Sequence, residues 1–184
     1  MFASIPITLN LSYHFLGFEV QKGSIIKRIP FQSKAFKLSF DLKLKLNRHN
    51  SLQRNKKSLL HFMSARSTKV GIPEIWINEE EKLEICSAFE NGTKYCHFDR
   101  TWLSYAEFIR IAIEQKPRLD GYYSFIVTIN GTVTKWEFIA KDLRRFEDVI
   151  VYASNPNDTA AGALIKNFEF TNLNEGKKYT RSKI

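Results

Sequence analysis

The two cysteines of the chain lie ten residues apart in the stretch CSAFENGTKYC, residues 86–96, and their spacing decides what chemistry they can do. Glu90-Asn91-Gly92 reads as a three-residue hairpin loop between Phe89 and Thr93, with Gly92 in the left-handed position of a bulged type I turn. Counting outward from that loop, residue 87 faces 95 and Cys86 faces Cys96. Directly opposed strand residues have Cα atoms about 4.5–5.5 Å apart, within reach of a disulfide. Closing so short a loop stabilises by about 3 kcal/mol in the chain-entropy picture. A slip of one residue would put the thiols on opposite faces. Two buried free thiols are the alternative that the same spacing allows. Zinc is not indicated, because His97 is the single further nitrogen or sulfur ligand in this stretch and a closed structural site takes four.

Elsewhere the residue types favour binding over catalysis. His14, His49, His61 and His97 have no carboxylate or cysteine at ligand spacing along the chain, and no Ser-His-Asp order or glycine-rich phosphate loop occurs. Asp120, Asp148 and Asp158 stand in or beside turns, where isolated acids are common, so neither calcium nor any other cofactor is assigned. The net charge of +9 is unevenly placed: residues 22–69 hold thirteen Lys or Arg against one acid, Asp41. That asymmetry fits either a polyanionic partner or a solvated rim balanced by acids elsewhere in the fold. The candidate polyanion set is Lys43, Lys45, Arg48, Arg54, Lys56 and Lys57, since Lys and Arg engage sulfate and Arg can hold two oxygens at once. Nucleic acid is not expected, because NRHNSLQRNKK (47–57) has no aromatic besides His49 on which a base could stack. Trp76, Trp102 and Trp136 could stack on sugars but are read as packing residues.

Sequons begin at Asn10, Asn91, Asn130 and Asn157, and the last three fall in expected turns. Those three are the candidate glycosylation sites. With a disulfide, they point to an extracellular or cell-surface protein. The first twenty residues lack a basic start and an unbroken apolar core, so residues 1–22 read as an edge strand or an extension, not a secretory signal. No run is long and apolar enough for a membrane helix.

The elements that must carry these residues are strands. FKLSFDLKLKL (36–46) alternates strictly, with Phe36, Leu38, Phe40, Leu42, Leu44 and Leu46 on one face and Lys37, Ser39, Asp41, Lys43 and Lys45 on the other. FIRIAIEQ (108–115) alternates likewise, and Pro73 in IPEIWI (72–77) argues for an edge strand or a strand start. YYSFIVTI and TVTKWEFI flank Asn130-Gly131, the favoured pair for a type I′ hairpin turn. Ten or eleven such runs between Gly23 and Thr171, with no long amphipathic helix, predict an all-β, antiparallel two-sheet sandwich or jelly roll. Residues 23–171 form the expected domain, and 172–184 a polar basic tail.

FKLSFDLK, LLHFMSA, IPEIWI, FIRIAIEQ…GYYSFIVTING and RFEDVIVYASNPND…AAGALIKNFEF follow one another in an order that resembles the laminin-G-like, concanavalin A-like jelly-roll domains of secreted and cell-surface animal proteins. The resemblance covers 23–171 and implies a binding or adhesion module for glycans, sulfated polysaccharides or protein ligands. It places VYASNP and AGALIKNFEF in the last two strands, and Phe108 in a core position where the family carries Trp. The cysteine pair is not a general family feature. The same scaffold can carry a glycoside hydrolase, but the E-x-D-x-E or E-x-D-x-x-E strand pattern of jelly-roll glucanases is absent. Glu79, Glu80 and Glu81 read as a solvated turn before Leu83, so catalysis is not expected. A protein–protein interaction module is the other alternative.

Overall fold

The computed structural model describes residues 12–46, 55–64, 71–88, 94–118, 120, 123–136 and 146–173. Two six-stranded antiparallel sheets lie face to face. The first runs, in spatial order, β1 (Ser12–Glu19), β12 (Ala163–Asn172), β3 (Phe36–Leu44), β8 (Ile109–Pro117), β9 (Tyr123–Ile129) and β10 (Thr132–Trp136). The second runs β2 (Ile25–Gln32), β11 (Phe146–Tyr152), β4 (Lys57–Ser64), β5 (Gly71–Ile77), β6 (Lys82–Ala88) and β7 (Lys94–Trp102). Twelve strands are present among the described residues: eleven from Ile25 onward, within the expected number, and β1, an edge of the first sheet, in the segment read as an edge strand or an extension.

Period-two alternation builds the core. Phe36, Leu38, Phe40 and Leu42 of β3 and Ile111 and Ile113 of β8 are fully buried, and face Leu60, Phe62, Ile75 and Ile85 of the second sheet within one hydrophobic cluster. Leu46 departs from the pattern: β3 ends at Leu44, and Leu46 is 79% exposed. Where the chain crosses between sheets after β2, buried polar groups replace ladder bonds. The Ser33 amide donates to Asn172 Oδ1 at 2.8 Å, and Asn172 Nδ2 donates to the Phe31 carbonyl at 3.1 Å. That pairing satisfies groups whose burial would otherwise cost the molecule.

Pro73 lies in β5, an interior strand of its sheet, contrary to the expected edge or strand start. Pairing with β4 shifts register between His61↔Glu74 and Met63↔Gly71, and pairing with β6 begins only at Glu74. The missing N–H of Pro73 therefore falls at an irregularity where the ladder does not use it. Asn130 (φ 46°) and Gly131 (φ 81°) turn between β9 and β10 as their types predict. No helix among the described residues is long and apolar enough to cross a membrane.

Tyr105, after β7, donates its hydroxyl to the Glu81 carboxylate. Burial, and then Glu81, push that phenol up to about 12. The contribution to stability is complete below the ordinary tyrosine value of about 10 and is lost as pH rises through about 12. Ultraviolet titration should show a phenol ionising near 12 that disappears in Tyr105→Phe; if the substitution instead removes a phenol ionising near the ordinary value of about 10, the Glu81 contact is not made.

Candidate functional site

Alternation that buries one face of β3 and β8 turns Ser39, Asp41, Lys43 and Arg110 outward, and the register sets Asp41 opposite Arg110. On the other side of β3, the pairing with β12 slips between Lys166↔Asp41 and Glu169↔Ser39. This bulge carries Asn167 at φ 50° and leaves Lys166, Asn167 and Glu169 on the same outer face. Bulges re-aim side chains, and this one completes a polar layer across four strands.

Arg110 holds the layer together. Its terminal nitrogens donate to Asp41 Oδ1 (3.2 Å), the Asn167 carbonyl (3.1 Å), Ser39 Oγ (2.8 Å) and Glu169 Oε2 (3.2 Å). Asn167 Nδ2 donates to the second Asp41 oxygen at 2.6 Å, and Ser39 Oγ donates to Glu169 Oε2 at 3.1 Å. From β1, His14 Nδ1 stands 3.6 Å from Glu169 Oε1, and Ser12 Oγ lies 3.1 Å from His14 Nε2. The Arg110 backbone is pinned as well: its amide donates to Asn130 Oδ1 and its carbonyl accepts from the Asn130 amide, each at 2.8 Å. The guanidinium donors are largely consumed within the layer, so the layer offers a ligand oriented carboxylate acceptors.

Cations border these acceptors. Phe108 extends the outward row beside Arg110, and Lys166 and Lys43 place their ammonium groups 4.0 and 5.8 Å from its ring centroid. Phe108 is half-buried, not the core residue implied by the family resemblance, because the pairing Leu42↔Ile109 turns the residue before Ile109 outward. Among the described residues, neither Lys43 nor Lys166 forms an ion pair with a carboxylate. The arrangement can accept hydrogen bonds from hydroxyl groups while meeting one negative group with two ammonium ions.

The structure divides the basic residues picked from the sequence. Lys43 belongs to the layer just described, whereas Lys45 pairs with Glu19 at 2.5 Å. Lys56 pairs with the nearly buried Glu84 and lies 4.5 Å from the centre of the Trp76 ring, on the second sheet. Lys57 opens β4 opposite Ile77. Arg48, Arg54 and Asn91 lie outside the described residues. Asn130 and Asn157 are exposed in turns, and the Asn157 amide donates to Asn155 Oδ1 at 2.9 Å.

Cys86 and Cys96 are bonded, in the register counted from the sequence, with Cα atoms 4.0 Å apart. Three histidines do have carboxylate neighbours, contrary to expectation: besides His14, His61 Nδ1 lies 3.8 Å from Glu74 Oε1 and His97 Nε2 lies 3.5 Å from Asp99 Oδ2. Cross-strand pairing supplies the partners of His14 and His61, which spacing along the chain does not show, whereas Asp99 stands two residues from His97 in the sequence itself. Trp76 is buried as expected, Trp102 is 66% exposed against expectation, and the side chain of Trp136 lies outside the described residues. Of the central layer, the sequence reading singled out only Lys43. The visible signals for the others were an Arg among isoleucines in IRIAI and an Asp in the outward row of lysines in FDLKLK.

No family model matches the chain, and no curated protein does. Solved structures share its fold. The receptor-binding domain of botulinum neurotoxin type G superposes with a TM-score of 0.58 at 17% identity, over 89% of this chain and 42% of that one. An endo-β-1,4-glucuronan lyase from the fungus Trichoderma reesei gives 0.58 at 12% identity, over 88% of this chain and 75% of that one. A heptameric SAP-like pentraxin from Limulus polyphemus gives 0.54 at 6% identity, over 84% and 69%. The chain spans less than half the length of the neurotoxin domains it matches. At these identities the likeness is one of fold: the chain is a β-sandwich of the jelly-roll kind, and the likeness does not single out laminin-G-like domains among such sandwiches.

Proposed function

We propose that the chain is a non-catalytic, extracellular binding module of laminin-G-like type, whose first sheet recognises an acidic saccharide on its outer face. The observation that carries this reading is the juxtaposition of hydroxyl acceptors fixed by Arg110 with the cation pair Lys43 and Lys166 on Phe108. A sugar bearing a carboxylate or sulfate offers the complementary set, hydroxyl donors beside one anionic group. The Cys86–Cys96 bond supports an oxidising compartment. Asp41 and Glu169 both accept from the same guanidinium, which suits oriented acceptors better than the acid and nucleophile that glycoside hydrolysis needs.

Affinity electrophoresis through heparin, polyglucuronate and neutral dextran at physiological salt tests the reading. Retention is expected in one or both acidic polymers and not in dextran. Lys43→Glu/Lys166→Glu should weaken it by at least about 10-fold, since a charge-assisted bond contributes about 1.5–3 kcal/mol. Arg48→Glu/Arg54→Glu is the comparison for the basic loop. If that pair abolishes retention and the Lys43/Lys166 pair leaves it intact, the loop is the site and the sheet face is not. Release of shortened polymer by the unaltered protein would replace binding with catalysis.

A further inference from the structure

The outer face of the second sheet carries an aromatic platform at its edge. Phe98 is 59% and Trp102 66% exposed, both on β7, the terminal strand of that sheet. Phe98 pairs with Glu84 and Trp102 with Lys82, residues that flank the fully buried Leu83, so both rings point away from the core. Between these pairs the register jumps, and the Thr101 amide donates to Asp99 Oδ1 at 2.7 Å across the irregularity. The Asp99 carboxyl is held below its usual range: burial pushes it up, but Thr101 and His97 outweigh that. Lys82 Nζ lies over the indole of Trp102, 4.7 Å from its centroid, and also contacts Glu80 Oε2 at 2.6 Å. The indole is therefore fixed on one side by a cation and open on the other. Phe98 and Trp102 stand opposite residues two apart on β6, so they leave two large aromatic side chains in water on one face, and an exposed apolar patch is the kind of surface that marks an interaction site.

Three kinds of occupant could meet such rings. A partner strand is disfavoured, because a bulge twists an edge away from pairing. A nucleic-acid strand also stacks on aromatics beside cations, but Lys82, which covers the Trp102 ring, is already paired with the Glu80 carboxylate, and that acid repels a chain of phosphates. Hexose rings fit: their apolar face covers the indole, and their hydroxyls donate to the Glu80 carboxylate and accept from Lys82 and Arg100. We propose that Phe98 and Trp102 form a second saccharide site, for uncharged hexose units, on the opposite side of the sandwich from Lys43, Lys166 and Arg110. A module with both sites could hold two glycan segments at once.

Titration of the intact protein with cellohexaose and mannohexaose, followed by tryptophan fluorescence in the unaltered chain and by calorimetry in every variant, tests the site. One of the hexaoses should change the emission, because Trp102 is exposed and Trp76 is buried. Trp102→Ala should weaken that binding at least 10-fold and Trp102→Phe should restore part of it, while Lys43→Glu/Lys166→Glu should leave it unchanged. The last arm separates this site from the acidic-saccharide face, so either can fail alone. The proposal is overturned if neither hexaose alters the emission, if calorimetric binding survives Trp102→Ala at full strength, or if an oligothymidylate binds there instead.

Discussion

Removing the Cys86–Cys96 bond, by reduction or by the double change to serine, is expected to destabilise the protein by about 3 kcal/mol, the chain-entropy value for a loop of ten residues. For a chain of this size that corresponds to a fall in Tm of roughly 6–12 °C. The effect should be local before it is global. β7 is an edge strand, held by ladder bonds on one side only, and the disulfide joins it to β6. Amide exchange should therefore rise first in β6 and β7, while β3 and β12, interior strands of the other sheet, keep their protection. Thermal melts with and without reductant, followed by hydrogen exchange, measure both effects. Superimposable melts, with two titratable thiols in the untreated protein, would show that the bond does not form.

Phe170→Ala should cost about 3–5 kcal/mol, the range for deleting a buried phenylalanine. Phe170 is 1% exposed, and its ring lies 6.0 Å from that of Phe36 in its own sheet and 5.5 Å from that of Phe62 in the facing one. The substitution therefore removes an inter-sheet contact together with the apolar area, and a cavity between rigid sheets closes poorly. It also sits next to Glu169, so loosening β12 should disturb the Arg110 layer. Urea unfolding of Phe170→Ala measures the first effect, and retention on the acidic polymers measures the second. A loss below about 1 kcal/mol would mean that the rings do not bridge the sheets as described.

Much of the scaffold was legible because its signals are local. The alternation in FKLSFDLKL, the Asn130-Gly131 turn and the count from Gly92 to the cysteines each concern neighbouring residues, and the structure has β3, the β9–β10 hairpin and the disulfide where those signals put them. The candidate site is non-local. Asp41, Arg110 and Glu169 come together only because β3 lies between β12 and β8, and no periodicity encodes that neighbourhood. Two of the misreadings share a cause. Pro73 in an interior strand depends on a break in ladder register, and outward-facing Trp102 follows such a break in its own strand. A regular strand is visible in one sequence; an irregularity shows itself only against the partner strand.

The position of β12 bears on how the molecule is made. This strand, the last one described, pairs with β1 on one side and β3 on the other, so two early strands meet only through a late one. During synthesis from the N-terminus, β1 and β3 leave the ribosome with facing edges open, and those edges stay open until residues 163–172 emerge. Pairings so distant in sequence form slowly and expose strand edges to other chains meanwhile. The Arg110 layer, which needs Asn167 and Glu169, forms after that insertion, so the site exists only in molecules whose β12 has paired with β3.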